Sequence, residues 1–210
     1  MIPDNQTTAR RRRRLGRGWR IFLLLPVLLS LTMKGTASWE PQEGKDLLGT
    51  RAPEWAGITW IQGGPLTLAS LKGKVVLLRF WLGDCPYCVR SAPALLSLQE
   101  QYRDRGLVVV GLHHPKSQEA RDLKWVARKA GELGFDFPVG QDDQWNTIRA
   151  YGVGTRFRRF TSVSFLIDRT GIIRFVHDGG EFHPGGGKGH EECNRAYEAL
   201  KAAIETALAS

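Results

Sequence analysis

Two neighbouring thiols are the side chains best suited to chemistry in this chain. They lie in Leu77-Leu78-Arg79-Phe80-Trp81-Leu82-Gly83-Asp84-Cys85-Pro86-Tyr87-Cys88-Val89-Arg90, which reads as an apolar strand, a tight turn and a helix opening at a Cys-x-x-Cys pair. Thiols one helical turn apart can close a small disulfide ring. A thiol at a helix N-terminus meets unpaired backbone N–H groups and a partial positive charge. Both favour the thiolate, the form that attacks disulfides. The spacing makes Cys85, at the cap, the exposed nucleophile. Cys88, one turn inside, becomes the shielded thiol that resolves a mixed disulfide. The rival readings are half of a zinc site or a structural disulfide. Zinc wants four ligands, usually from a second Cys or His pair at short spacing, and the sequence shows no second pair.

The elements that position these thiols follow from hydrophobic pattern and turn chemistry. Residues 39–47 read as a linker, and polar, Pro/Gly-bearing sequence continues to Glu54. Ile58 to Ile61 and Leu66 to Leu68 suggest short strands joined in an N-terminal hairpin through Gly63-Gly64-Pro65. Val75 to Trp81 is a near-continuous apolar run, as a buried parallel strand requires. A helix should run from Cys85 to about Arg103, kinked at Pro93. Leu107 to Leu112 is a second buried strand, Glu119 to Leu133 an amphipathic helix, Phe137 to Val139 a short strand and Gln144 to Tyr151 a short helix. Ser162 to Ile167 and Ile172 to Val176 form an antiparallel hairpin around Asp168-Arg169-Thr170-Gly171, and Glu191 to Leu208 closes the chain as a helix. The expected class is α/β, a central mixed sheet flanked by helices.

The net charge of +9 over 210 residues invites a nucleic-acid reading until it is located. Residues 1–38 hold eight of the 30 bases and one of the 21 acids, so the remainder is nearly neutral. The surplus therefore reads as a targeting signal, and no nucleic-acid partner is expected. The order is that of a signal sequence: a basic block (Arg10 to Arg14, Arg17, Arg20), an apolar run from Ile21 to Met33, then Gly35-Thr36-Ala37-Ser38. The run is shorter than the roughly 20 residues that span a bilayer comfortably. Residues 1–38 are thus a cleaved signal or an uncleaved membrane anchor, with residues 20–33 as the anchoring stretch. Either way the domain at 48–210 should be exported, facing a periplasmic or other extracytoplasmic, oxidising compartment.

From about Leu48 to Leu208 the chain resembles the thioredoxin fold, specifically exported TlpA/ResA-like proteins of the redoxin superfamily. The matching residues are Ala52-Pro53-Glu54, Leu71-Lys72-Gly73-Lys74-Val75-Val76-Leu77-Leu78, Phe80-Trp81, the Cys85–Cys88 pair, Pro93, and Phe165-Leu166-Ile167-Asp168 with Gly171. Val109-Val110-Gly111-Leu112-His113 and Gly171-Ile172-Ile173-Arg174-Phe175-Val176-His177 are similar to the branch containing the C-terminal domain of DipZ and NHL-repeat-associated thioredoxin domains. The resemblance implies an N-terminal hairpin, an insertion within the fold, and protein disulfide oxidoreductase activity needing no cofactor. It also implies a protein disulfide or dithiol as substrate and an upstream electron-transfer protein as partner. Trp81, Pro86 and Tyr87 would surround the thiols.

Three positions depart from that pattern. Relatives carry a cis-proline before the Phe165 strand, where this chain has Ser162-Val163; no proline lies between Pro138 and Pro184. Asp84 replaces the aromatic residue that usually precedes the first Cys, and its charge should oppose the Cys85 thiolate while Arg90 supports it. Arg79 stands where thioredoxins bury an Asp; pointed at Cys88, it would stabilise thiolate and make the pair easier to reduce, and pointed outward it would be a surface residue. His113-His114 end a strand and read as loop histidines that see solvent, with a metal or cysteine-tuning role as the sharper alternative. Cys193, three residues after His190, reads as an unpaired packing thiol, a third redox or metal thiol being the alternative. Gly185 to Gly189 lacks the Ser/Thr and leading Gly of a phosphate loop and reads as a flexible loop. Arg156 to Arg159 forms a local basic patch. Trp55, Trp60, Trp81, Trp125 and Trp145 should pack in the core or line the site.

The leading expectation is an exported thiol–disulfide oxidoreductase, acting as a reductant as most relatives do. A different class is a copper or iron–sulfur carrier module built on Cys85, Cys88 and a histidine, and another is a scaffold with vestigial cysteines. A peroxidase is disfavoured, because peroxide-reducing redoxins place Pro and Thr where Leu78 and Leu82 stand.

Overall fold

The Val75–Trp81 run is apolar at every position except Arg79, so it has to be covered on both faces. In the computed structural model, which describes residues 45–154 and 160–210, it is. The elements are β1 (Thr59–Gln62), β2 (Val75–Trp81), α1 (Pro86–Tyr102), β3 (Leu107–His113), α2 (Leu123–Glu132), β4 (Val139–Gln141), α3 (Asn146–Ala150), β5 (Ser164–Ile167), β6 (Ile173–His177) and α4 (Glu191–Ala209). They build one six-stranded sheet of order β1-β4-β3-β2-β5-β6. β2, β3 and β4 run parallel, while β1, β5 and β6 join antiparallel, giving the expected mixed sheet.

Strand side chains alternate between faces, and β2 divides the core accordingly. Val75, Leu77 and Trp81 pack with α1, α2 and α4 through Leu95, Leu98, Val126, Leu200 and Ile204. Val76, Leu78 and Phe80 face the other way, onto Ile148, Tyr151, Val163 and Phe165. Position 79 has the parity of Leu77 and Trp81, so Arg79 is delivered to the face that carries Cys88. Trp55, Trp81 and Trp125 are buried, and Trp60 and Trp145 pack against the second core.

Three local expectations change. The N-terminal hairpin does not form: β1 pairs with β4, and Leu66 to Leu68 leads into a 3-10 turn at Ala69–Leu71. Side chains take up the backbone groups that a strand would have paired, since Leu68 and Ala69 donate to the Glu54 carboxylate and Thr67 and Ser70 bond each other. Gly64 turns against Trp60, where an added Cβ would lie 2.3 Å from the indole. The amphipathic helix is split, with a 3-10 turn at Glu119–Arg121 and α2 restarting where the Asp122 side chain accepts from Lys124 N–H. Polar sequence before Glu54 is not all linker. Gly49 N–H donates to Ile173, Ile173 N–H to Thr50 and Ala52 N–H to Gly171, so this stretch covers the outer edge of β6. Helix α1 runs without interruption through Pro93. The signal or anchor at 1–38, residues 39–44 of the linker, and Arg156 to Arg159 lie outside the described residues.

Asp168 closes the β5–β6 turn. Its carboxylate accepts from Thr170 N–H at 2.8 Å, Thr170 Oγ1 at 2.6 Å, Ile172 N–H at 3.0 Å and Arg174 at 2.6 Å. Burial opposes the charge, but these donors outweigh it and hold the carboxyl at about 2. The folded value lies below the unfolded one of about 3.9. The stabilisation is therefore complete above that value and disappears as pH falls through about 2. Asp168→Asn is expected to flatten the pH dependence of Tm between about pH 4 and 2, measured by thermal melts. Parallel curves for the two proteins would contradict it.

Candidate active site

Cys85 has extended backbone (φ −79°, ψ 117°) and caps α1, its carbonyl accepting from Cys88 and Val89 N–H at 3.0 Å each. Pro86 takes the first helical position, where a missing N–H costs nothing. This leaves Cys85 half-buried and Cys88 2% exposed, with both sulfurs free. The Cys88 thiol donates to the Cys85 sulfur, the largest influence on Cys85. Burial pushes the other way, and the N–H groups of Cys88 and Tyr87 with the Arg79 charge complete the balance. Cys85 falls from an ordinary 9.0 to about 5. As the donor, Cys88 is held well above its usual range, first by that bond and then by burial, against the pull of Arg79.

Arg79 is 1% exposed and points inward. Its Nη1 donates to the Ser162 carbonyl at 2.9 Å and Ser164 Oγ at 3.1 Å. Its Nη2 lies 4.0 Å from Cys88 Sγ and 3.4 Å from the Gly180 carbonyl, and the guanidinium stacks over Phe182 at 5.3 Å. Among the described residues no carboxylate forms an ion pair with it. The surface alternative for Arg79 is thereby excluded.

Ser162 and Val163, at 2% and 0% exposure, stand at the turn into β5. Among the described residues the one cis peptide bond joins Gly64 to Pro65, so the bonds around Ser162 are trans. Val163 gives its carbonyl to Phe80 N–H at 3.0 Å, which fastens this turn to β2. Tyr87 is exposed, its ring 5.6 Å from that of Phe160. Trp81 is buried against the rings of His113 and Phe135 at 5.1 Å each.

The two charges expected to act on Cys85 do not lead there. Asp84 is exposed and is not among the leading influences on Cys85. Arg90 pairs with Glu181 and lies over Tyr87, so its charge is directed away from the thiols. His113 and His114 are not solvent-facing, both being 0% exposed. β3 extends through His113, and the rings sit among Trp81, Trp125, Phe80 and Trp145. Burial pushes His113 down to about 4 and holds His114 well below its ordinary range, so both are neutral. Cys193 is not merely a packing residue: its thiol donates to Glu181 at 3.3 Å, beside His183 and His190. Among the described residues that quartet, and no set including Cys85 or Cys88, gathers three or more metal-ligating groups. Gly180, Glu181, Phe182 and His183 had no sequence signal beyond the nearby His190-x-x-Cys193 spacing.

Residues 48–176 match the AhpC/TSA family. Protein DipZ of Mycobacterium bovis is 35% identical over 133 residues, covering 61% of this chain but 18% of DipZ. Thiol-disulfide oxidoreductase ResA of Bacillus thuringiensis is 30% identical over 157 residues, 72% of this chain and 84% of ResA. A thiol:disulfide interchange protein of the thioredoxin family from Chlorobium tepidum superposes with a TM-score of 0.58 at 26% identity, over 76% of this chain and 97% of that one. Among the described residues no helix is long and apolar enough to cross a membrane.

Proposed function

The chain belongs to the AhpC/TSA family, and from that premise we propose that it is an exported thiol–disulfide oxidoreductase acting on partner proteins. The observation that carries the reading is the asymmetry of the pair: Cys85 is half-buried with a pKa of about 5, and Cys88 is enclosed and protonated. In the first step the Cys85 thiolate attacks one sulfur of a partner disulfide, the partner S–S bond breaks, and the released partner thiolate takes a proton. Bonding to the partner removes the negative charge that held the Cys88 proton, while Arg79 stays 4.0 Å from Cys88 Sγ. Cys88 then loses its proton to solvent and attacks Cys85, releasing the second partner thiol and leaving a Cys85–Cys88 disulfide. Two electrons have passed to the partner. Export is supported by the basic block and apolar run within residues 1–38, which serve as signal or anchor. Residues 20–33 would hold the domain at the membrane if the segment is retained.

The proposed direction is reduction, as in most of the relatives the chain resembles, and the electrostatics of the pair make it a weaker reductant than thioredoxin. Stabilising thiolate favours the dithiol over the disulfide and raises the potential, and here Cys85 is depressed with Arg79 beside the pair. Turnover of insulin disulfides by the full chain, with dithiothreitol as electron source, tests the activity. Equilibration with glutathione should give a midpoint above the roughly −270 mV of thioredoxin. Absence of turnover would reject the function, and a midpoint at or below that value would reject the electrostatic account.

A further inference from the structure

Behind α1, four side chains that disulfide exchange does not use converge on one point: Glu181, His183, His190 and Cys193. Each offers one ligand atom, and the four atoms lie within 4.8 Å of one another. His183 Nε2 and His190 Nδ1 are 3.2 Å apart, Cys193 Sγ and Glu181 Oε1 3.3 Å, and His183 Nε2 and Glu181 Oε1 3.9 Å. A tetrahedral zinc ion with Zn–N and Zn–O near 2.0–2.2 Å and Zn–S near 2.3 Å needs ligand–ligand edges of roughly 3.3–3.7 Å. We propose that these residues form a closed, structural zinc site of one cysteine, two histidines and one glutamate, separate from the redox thiols.

The backbone permits this approach. His183 and His190 are brought together by Gly185 to Gly189, and at Gly186 (φ +103°) an added Cβ would lie 2.5 Å from His190 Cβ and 3.0 Å from His183 Cε1. Any other residue there would push the imidazoles apart. The loop is pinned by Gly185 N–H to Asn194 Oδ1 at 2.9 Å and by His183 N–H to the Cys193 carbonyl at 3.4 Å. Glu181 divides its oxygens: Oε1 faces the cluster, and Oε2 takes Arg90 of α1. Such an outer partner orients a ligating carboxylate. One thiolate, two imidazoles and a hard carboxylate suit zinc better than blue copper, which takes a weak axial thioether beside its two imidazoles and thiolate. Coordination displaces the Cys193 proton to solvent.

The location suggests a use. Residues 180–182 form part of the wall around the thiols, since Gly180 and Phe182 contact Arg79 and Phe182 N–H donates to Ser91 Oγ at 3.0 Å. Zinc at Glu181 and His183 would tie this wall to the start of α4.

The test uses the full chain and zinc itself. Competition against a chromophoric chelator should show one equivalent bound, retained in a Cys85→Ser/Cys88→Ser double variant. Cys193→Ser or His190→Ala should weaken affinity by about a hundredfold or more. Co(II) should give tetrahedral d–d bands with a thiolate charge-transfer band that Cys193→Ser abolishes. Because the chain has three cysteines, the double variant leaves Cys193 as its sole thiol. There zinc should protect it from maleimide, and a chelator should reverse the protection, which decides the matter even if ligand variants fail to fold. No bound zinc, zinc lost with Cys85 and Cys88, or a Cys193 that labels equally with and without zinc would overturn the proposal. The assay does not depend on disulfide turnover, so either reading can fail alone.

Discussion

Replacing Cys85 by serine is expected to abolish insulin reduction, by at least about a thousandfold, because a nucleophile whose loss removes the first step cannot be partly compensated. Cys88→Ser should behave differently. Cys85 retains its place at the helix cap, so the first attack still occurs, but the sulfur that releases the partner is gone. The expected product is an accumulating mixed disulfide, seen on non-reducing gels as a band that dithiothreitol removes. Accumulation with Cys85→Ser instead would reverse the assigned roles, and unchanged turnover in Cys85→Ser would remove them.

The second large effect concerns acidity. With Cys85 at about 5, the thiolate predominates well below neutrality. At pH 6 it is about 0.9 of the total, against roughly 0.003 for a thiol of pKa 8.5. Lower basicity costs nucleophilicity with a Brønsted slope near 0.4–0.5, so the net gain in alkylation rate at pH 6 is about tenfold. Mass-spectrometric rates for the Cys85 peptide with iodoacetamide should therefore level off by about pH 7, where an ordinary thiol is still climbing. Cys88→Ala removes the donor that contributes most. A hydrogen bond to a charged group is worth about 1.5–3 kcal/mol, so the midpoint should rise by at least about one pH unit. A profile unmoved by that variant would mean that Cys88 does not donate to Cys85.

How far these features can be read from sequence depends on whether the cause is local. β2 is legible because a run of seven, apolar at all but Arg79 and bounded by turn residues, reads as a doubly covered strand, whereas the face that Arg79 takes follows only once Leu77 and Trp81 are placed with the Cys88 core. The Cys85 cap is legible because strand, turn, Pro86 and helix follow in adjacent residues. What escaped depends on distant partners. Gly63-Gly64-Pro65 signals a turn but not that Glu54 takes the next amides, which removes the hairpin. His113-His114 look like loop residues until three tryptophans and Phe80 are seen to enclose them. Arg90 would favour the Cys85 thiolate were it not for Glu181, ninety-one residues away. Of the zinc quartet, His190 and Cys193 fall one helical turn apart, while Glu181 and His183 arrive only through the closure of a glycine loop.

The guanidinium enclosed near Cys88 has one further consequence. A carboxylic acid in such a place would carry its own titration into the range where the thiols change state, whereas arginine keeps its proton at any physiological pH. His113 and His114 stay neutral there as well. Between neutrality and about pH 6 the reduced centre should thus keep its single thiolate and a constant charge, and only the Cys85 proton should change its exchange rate below that.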